Sequence, residues 1–413
     1  MKTRASSVLL ISASLACLPV LGAGHPREKL LAAVTACGPG SRHLLEQVVA
    51  IDSGTGDAEG LKAVGDLYAA ELEGLGANVR RVASVPPATG DNLEATLVGA
   101  GKGRVLLIAH MDTVFGRGDV ARHPPHWDGE HYVGLGAGDD KSGGVTAVCV
   151  LRALGQIGYH DFARIDLLLN ASEEVGSPGS RELIRSMAAQ SDLAINLERG
   201  LPTDRVLVAR KGSAVLTMEF TGVAAHSGLE PEKGRNAALE AAHMALALGE
   251  LGNPQTGTTV TVDILSGGDR TNVVPAHAIL KADVRSFSSA EFDGVERAAA
   301  ELAAHPSIEG VTIKSSLERD FPPWPHTAAT DRIVAHTSRL FAEIGRTLST
   351  TEVGSSADVA IAAGTGTPAI DGFGMEGGGA HTFNDFADLS TLVPRAYVLA
   401  RLLMDVGHDP KGL

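Results

Sequence analysis

The chain has 413 residues, 44% hydrophobic and 20% charged, with a formal net charge of −14. That balance is ordinary for a globular protein and excludes wholesale disorder. Its acidity argues against nucleic acid or an anionic membrane surface as a partner. Three cysteines exclude a disulfide scaffold, and no closely spaced pair suits zinc. Any metal must be held by histidine and carboxylate.

Residues 1–24 read as a secretory signal. Lys2 and Arg4 precede the apolar run Val8–Leu21, which Pro19 interrupts, and the small residues Gly22-Ala23-Gly24 follow. Ser14 stands where a lipoprotein signal has Leu, so no lipid anchor is expected. The expectation is a periplasmic or secreted protein with no membrane segment once the signal is removed, because no other run reaches ~18 unbroken apolar residues.

Apolar spacing predicts helices over 27–51 and 57–76, then a strand over Asn92–Val98. Arg104–Ala109 and Ile165–Asn170 are continuous apolar runs of strand length, as buried strands of a helix-covered sheet should be. Helices over Gly143–Leu154 and Ser180–Ala189 and a short strand over Leu193–Leu197 complete an alternation that argues for an α/β sheet with helices on both faces. The style then changes. Strands Ser213–Phe220, Thr258–Leu265, Ala276–Arg285 and Val311–Ser316 interleave with helices Arg235–Leu251 and Ser289–Ala304 in the β-α-β-β-α-β order of a ferredoxin-like unit. Helix Asp331–Ile344, strand Thr367–Ile370 and helix Leu392–Val406 return to the first style. The expected organisation is a body of residues 25–206 and 320–413 interrupted by an inserted unit at 207–319.

Candidate chemistry sits where predicted strands end. Strand Arg104–Ala109 runs into His110-Met111-Asp112, and residues two apart in extended chain face the same way, so Asp112 can orient His110 as a metal ligand. Asp139 and Asp140, in the Gly-rich loop that opens a helix, suit a cation and would repel phosphate. Asp140 could instead simply cap that helix. Ile165–Asn170 leads to Glu173 and Glu174, whose alternation lets one carboxylate bind metal while the other faces substrate. Leu193–Leu197 leads to Glu198, and His381 lies in a Gly-rich stretch near the C-terminus.

Ala109-His110-Met111-Asp112-Thr113, Gly138-Asp139-Asp140-Lys141-Ser142-Gly143, Ser172-Glu173-Glu174-Val175-Gly176-Ser177 and Ala225-His226-Ser227-Gly228 together resemble the signatures of the M20 family of zinc exopeptidases and deacylases. Glutamate carboxypeptidases of the carboxypeptidase G type are the nearest branch. The resemblance spans nearly all of the chain after the signal. It implies a zinc-exopeptidase body, a mixed sheet with helices on both faces, and an inserted ferredoxin-like lid that carries a homodimer interface.

It further implies two Zn²⁺, for which Co²⁺ or Mn²⁺ could substitute. Asp139 would bridge them, His110 and Glu198 would complete one site, and Glu174 and His381 the other. Asp112 would orient His110, and Glu173 would act as general base and acid on the attacking water. His226 would stabilise the oxyanion from a neighbouring subunit, while Asn272, Arg285 and, on a looser match, Arg319 would hold the substrate. The implied reaction removes a C-terminal amino acid, glutamate in the nearest branch, from small peptides or N-acyl and pteroyl conjugates. The alternatives are an N-acyl-amino-acid deacylase or dipeptidase of the same family, and a catalytically silent zinc-binding homologue. Gly354-Ser355-Ser356-Ala357-Asp358 and Phe321-Pro322-Pro323-Trp324 depart from the family pattern and leave the leaving residue open.

Overall fold

A computed structural model describes residues 26–412; the expected signal lies outside them. The body is built on a six-stranded sheet ordered Asn78–Ala83, Asp91–Val98, Arg164–Asn170, Arg104–His110, Leu193–Asn196, Ala369–Ile370. The last four strands are mutually parallel, and the first two pair antiparallel. Alternating side chains build two cores from one strand. Val105, Leu107 and Ala109 pack toward helices Gly38–Val49, Ser142–Gln156 and Leu392–His408. Leu106 and Ile108 pack the opposite way, with Ile184 of helix Arg181–Ala188 and Ile361 of helix Val359–Ala363. Burial on both faces is why this strand reads as an unbroken apolar run. Each buried Val, Leu or Ile among them contributes ~1.5–3 kcal/mol of transfer free energy.

The helix expected over 27–51 divides into Pro26–Ala36 and Gly38–Val49. Pro39 sits in the first turn of the second piece, where its missing N–H costs nothing. At the division, Cys37 is joined to Cys149 in the middle of Ser142–Gln156, with Cα atoms 5.6 Å apart. The cysteines form no scaffold, yet these two make one buried staple across 112 residues of sequence.

Three features differ from the sequence reading. Strand Asn78–Ala83 adds a polar edge to the sheet, its two arginines having disguised it. Arg205–Arg210 pairs in parallel with Ser349–Val353 in the body, so the lid sheet itself begins at Gly212. A small sheet joins Glu376–Gly378, Phe386–Asp388, His131–Val133 and His126–Asp128, strands too short to show a period.

The lid is a four-stranded antiparallel sheet ordered Thr259–Gly267, His277–Ser286, Gly212–Thr221, Thr312–Arg319. Helices Ala237–Gly249 and Ser289–Ala304 cover one face, burying Leu216, Met218, Phe220, Leu280, Met244 and Phe292 between them. Asn236 caps the first helix by accepting from the Leu239 amide. Among the described residues no helix is long and apolar enough to cross a membrane.

Candidate active site

Three parallel strands deliver their following residues to one edge of the sheet. His110 is the last residue of Arg104–His110; its neighbour Arg164–Asn170 leads to Glu173 and Glu174, and Leu193–Asn196 leads to Glu198. This is the carboxyl end of the parallel strands, where α/β sheets place ligands. Asp139 comes from the turn ahead of Ser142–Gln156, and His381 from the loop between Glu376–Gly378 and Phe386–Asp388. His381 has a φ of 61°, a left-handed conformation costly for a residue with a Cβ.

The expected ligands converge. His110 Nε2 lies 3.1 Å from Asp139 Oδ1 and 3.7 Å from Glu198 Oε1. His381 Nε2 lies 3.0 Å from Glu174 Oε2 and 3.5 Å from Asp139 Oδ2. Asp139 thus stands between the two imidazoles. Donor atoms of His110, Asp139 and Glu174 lie within 4.8 Å of one another, as do those of His110, Glu173 and Glu198. Asp112 plays a wider part than orienting His110. Its main-chain oxygen is 3.0 Å from His110 Nδ1 and its Oδ1 3.4 Å away. Its carboxylate accepts from the amides of Glu173 and Glu174 and from Thr55 Oγ1. One buried side chain therefore positions a ligand and the loop bearing both glutamates. Asp140 does not cap the helix; its Oδ2 faces the His110 amide at 3.4 Å.

The electrostatics test whether cations belong here. Burial pushes the Glu173 carboxyl well up, and the charges of Glu198, Asp358 and Glu174 add to it. Burial, with Asp139 beside it, raises Glu198 to about 7. Burial also raises Glu174, against the hydrogen bond from His381. Burial would push Asp139 up too, but the His110 imidazole and the charges of His110, Arg199 and His381 outweigh it and hold it at about 2. Four desolvated carboxylates thus crowd one edge, faced by Arg199, Arg210 and the imidazoles of His110 and His381. Such a cluster of buried carboxylates favours further positive charge. The donor set of imidazole and carboxylate fits divalent zinc.

A cavity of about 700 Å³ opens beside this cluster and reaches the lid. Arg285 lines it, with Nε held by the Asp283 carboxylate at 2.9–3.0 Å and Nη1 donating to Ser356 Oγ at 3.2 Å. Arg319 is outside it. Its guanidinium pairs with Asp293 and Glu296 of Ser289–Ala304 on the outer face of the lid, which removes it from substrate contact. The exposed lid loops bearing His226 and Asn272 lie side by side, the Ser227 amide donating to the Asn272 carbonyl, and neither residue lines this cavity.

Sequence reasoning missed Arg210, which is buried, paired to Asp371 at 2.5 Å, and 3.7 Å from Glu198. An arginine closing the apolar run Val206–Ala209 was the available signal, since a buried cation needs a partner. It also missed Arg199, 3.3 Å from Asp139, and the cavity residues Ser213 and Asp320.

The family model for Peptidase family M20/M25/M40 matches residues 106–405. This chain belongs to that family and is a hydrolase acting on amide bonds. Carboxypeptidase G2 of Pseudomonas sp. (strain RS-16) is 34% identical over 366 residues, 88% of each chain. Among solved structures, a tripeptidase from Staphylococcus aureus superposes with a TM-score of 0.74 at 22% identity, covering 90% of this chain and 99% of that one. An M20 family metallo-carboxypeptidase from Sulfolobus solfataricus gives 0.69 at 14% identity over 88% and 98%. These two likenesses concern the fold.

Proposed function

We propose that this hydrolase binds two zinc ions and removes a C-terminal amino acid bearing a free α-carboxylate from a peptide or an N-acyl conjugate. The observation that carries the reading is Asp139 standing between two imidazole–carboxylate sets, His110 with Glu198 and His381 with Glu174. Metal ions held by these five residues supply a Lewis acid for the scissile carbonyl and lower the pKa of water. Glu173 is the base. Its carboxylate accepts no hydrogen bond from a described residue, it lies beside the ligands, and burial favours its taking up a proton. It takes the proton of the attacking water and passes it to the leaving amine as the C–N bond breaks. Arg285 receives the terminal carboxylate from the lid side of the cavity.

His226, with Asn272 beside it, acts across a two-fold interface in a homodimer. The support is their position away from this chain's own cavity and the exposed Leu239 and Leu246 on Ala237–Gly249, 50% and 77% accessible. The protein works in the periplasm or outside the cell. The Cys37–Cys149 bond supports this, because such staples persist in oxidising compartments.

The reading is tested with zinc-reconstituted protein on matched N-acyl amino acids and their C-terminal amides. Hydrolysis of the free acids, with the amides poor, is expected. No hydrolysis of any conjugate, or indifference to the terminal carboxylate, would overturn it.

A further inference from the structure

Among the charged groups that line the cavity, two carboxylates lack a side-chain partner: Glu173, already proposed as the base, and Asp320. Arg199 is paired to Asp139, Arg210 to Asp371, and Arg285 and Asp283 to each other. The Asp320 carboxylate has neither an ion pair nor a hydrogen bond to any described residue, although it lines the cavity. Its backbone is firmly held. The Asp320 amide donates to the Ser213 carbonyl at 2.9 Å, and Arg181 Nη2 donates to both the Asp320 and Gly176 carbonyls. A Cβ built on Gly176 would lie 3.3 Å from Asp320 Cβ, so Asp320 sits close to the loop that carries Glu174.

Strand pairing fixes where Asp320 lies relative to Arg285. Arg285 is paired with Ser213 on one side, and Asp320 follows Arg319, which is paired with Ala214, on the other. The two backbones are therefore two strand spacings apart, roughly 10 Å, with Ser213 between them. All three side chains line the same cavity. Along the lid end of the cavity the order is cation, hydroxyl, anion. A substrate whose α-carboxylate meets the cation at one end would present a long side chain toward the anion at the other. A second acidic group on the substrate would meet the like charge of Asp320.

We propose that the cavity selects a basic leaving residue, a C-terminal lysine or arginine whose α-carboxylate meets Arg285 and whose side-chain cation meets Asp320. The assignment rests on the carboxypeptidase reading above and names its substrate class. A charge-assisted hydrogen bond of this kind contributes ~1.5–3 kcal/mol, or about 10- to 100-fold in kcat/KM.

The experiment compares N-benzoylglycyl-lysine, its neutral near-isostere N-benzoylglycyl-norleucine, and N-benzoylglycyl-glutamate on zinc-reconstituted full-length protein. Lysine should exceed norleucine by about 10- to 100-fold in kcat/KM, with glutamate lowest. Asp320→Asn should bring the lysine-to-norleucine ratio close to one, chiefly through KM for lysine. Asp320→Arg should move the preference toward glutamate, and circular dichroism verifies that both variants fold. A wild-type enzyme that cleaves norleucine or glutamate conjugates as well as lysine would overturn the inference while leaving the carboxypeptidase reading standing. Unchanged ratios in the Asp320 variants would also overturn it. Failure to cleave any of the three would remove both readings together.

Discussion

Glu173 and Glu174 are neighbours in sequence with opposite surroundings. Glu174 is 3.0 Å from His381, whereas the Glu173 carboxylate accepts from no described residue and is pushed well up by burial. A ligand needs its charge, and a base needs to take and release a proton, so these surroundings suit the proposed division of roles. Glu173→Ala should keep the metals and lower kcat by at least ~10²–10⁴. Metal content with steady-state kinetics checks this, and near-normal turnover would assign the base elsewhere. Arg285 has its Nε edge occupied by Asp283, so in the proposed role it would meet the substrate with its remaining N–H groups in ground and transition states alike. Arg285→Ala should therefore raise KM with a smaller effect on kcat. Lysine at this position should recover only part, because a point charge cannot hold Asp283, Ser356 and a carboxylate in one plane. Equal losses on free-acid and amidated substrates would make Arg285 structural.

At the scale of elements, the site depends on strand ends held still by packed helices. Ser142–Gln156 is buried along most of its length and begins just after Asp139 and Asp140. The Cys37–Cys149 bond ties the middle of that helix to the junction of the first two helices. In the chain-entropy description, a loop of this size gives about 4.7 kcal/mol of stability, and such bonds typically contribute about 2–4 kcal/mol. Replacing both cysteines with alanine should lower the denaturant midpoint accordingly. Activity of the folded fraction should stay near normal, because neither cysteine lines the cavity. A double variant as stable as the wild type would show that helix packing alone fixes the element.

Over the whole molecule, the proposed ligands come from both segments of the body, with Asp139, Glu174 and Glu198 before the inserted lid and His381 after it. Metal should therefore stabilise the fold as well as serve the chemistry. Elemental analysis should find about two zinc per chain. Chelation should lower the melting temperature, because it leaves the buried carboxylates facing one another. Absence of stoichiometric metal after reconstitution would contradict the centre. The lid adds a second long-range dependence. If His226 serves the partner's cavity, co-expressed heterodimers of His226→Ala and Glu173→Ala chains should recover part of the activity that each homodimer lacks. No recovery in verified heterodimers would place His226 outside catalysis.

The sequence by itself determined the α/β body and the inserted ferredoxin-like lid, and its resemblance to the M20 family implied the five residues proposed as metal ligands. Buried parallel strands such as Arg104–His110 are written as apolar runs, and chemical groups placed at their ends form short local motifs. Tertiary structure decided what depends on neighbours distant in the chain. The polar edge strand Asn78–Ala83 and the pairing of Arg205–Arg210 with Ser349–Val353 have no periodic signature of their own. The Cys37–Cys149 bond needs two distant helices packed together before the thiols meet. Arg319 and Asp320 show the difference most directly. They are adjacent in sequence and charged, yet Arg319 pairs with Asp293 and Glu296 outside while Asp320 lines the cavity. Successive residues at a strand end diverge, and which of them meets the substrate depends on what the rest of the fold puts on each side.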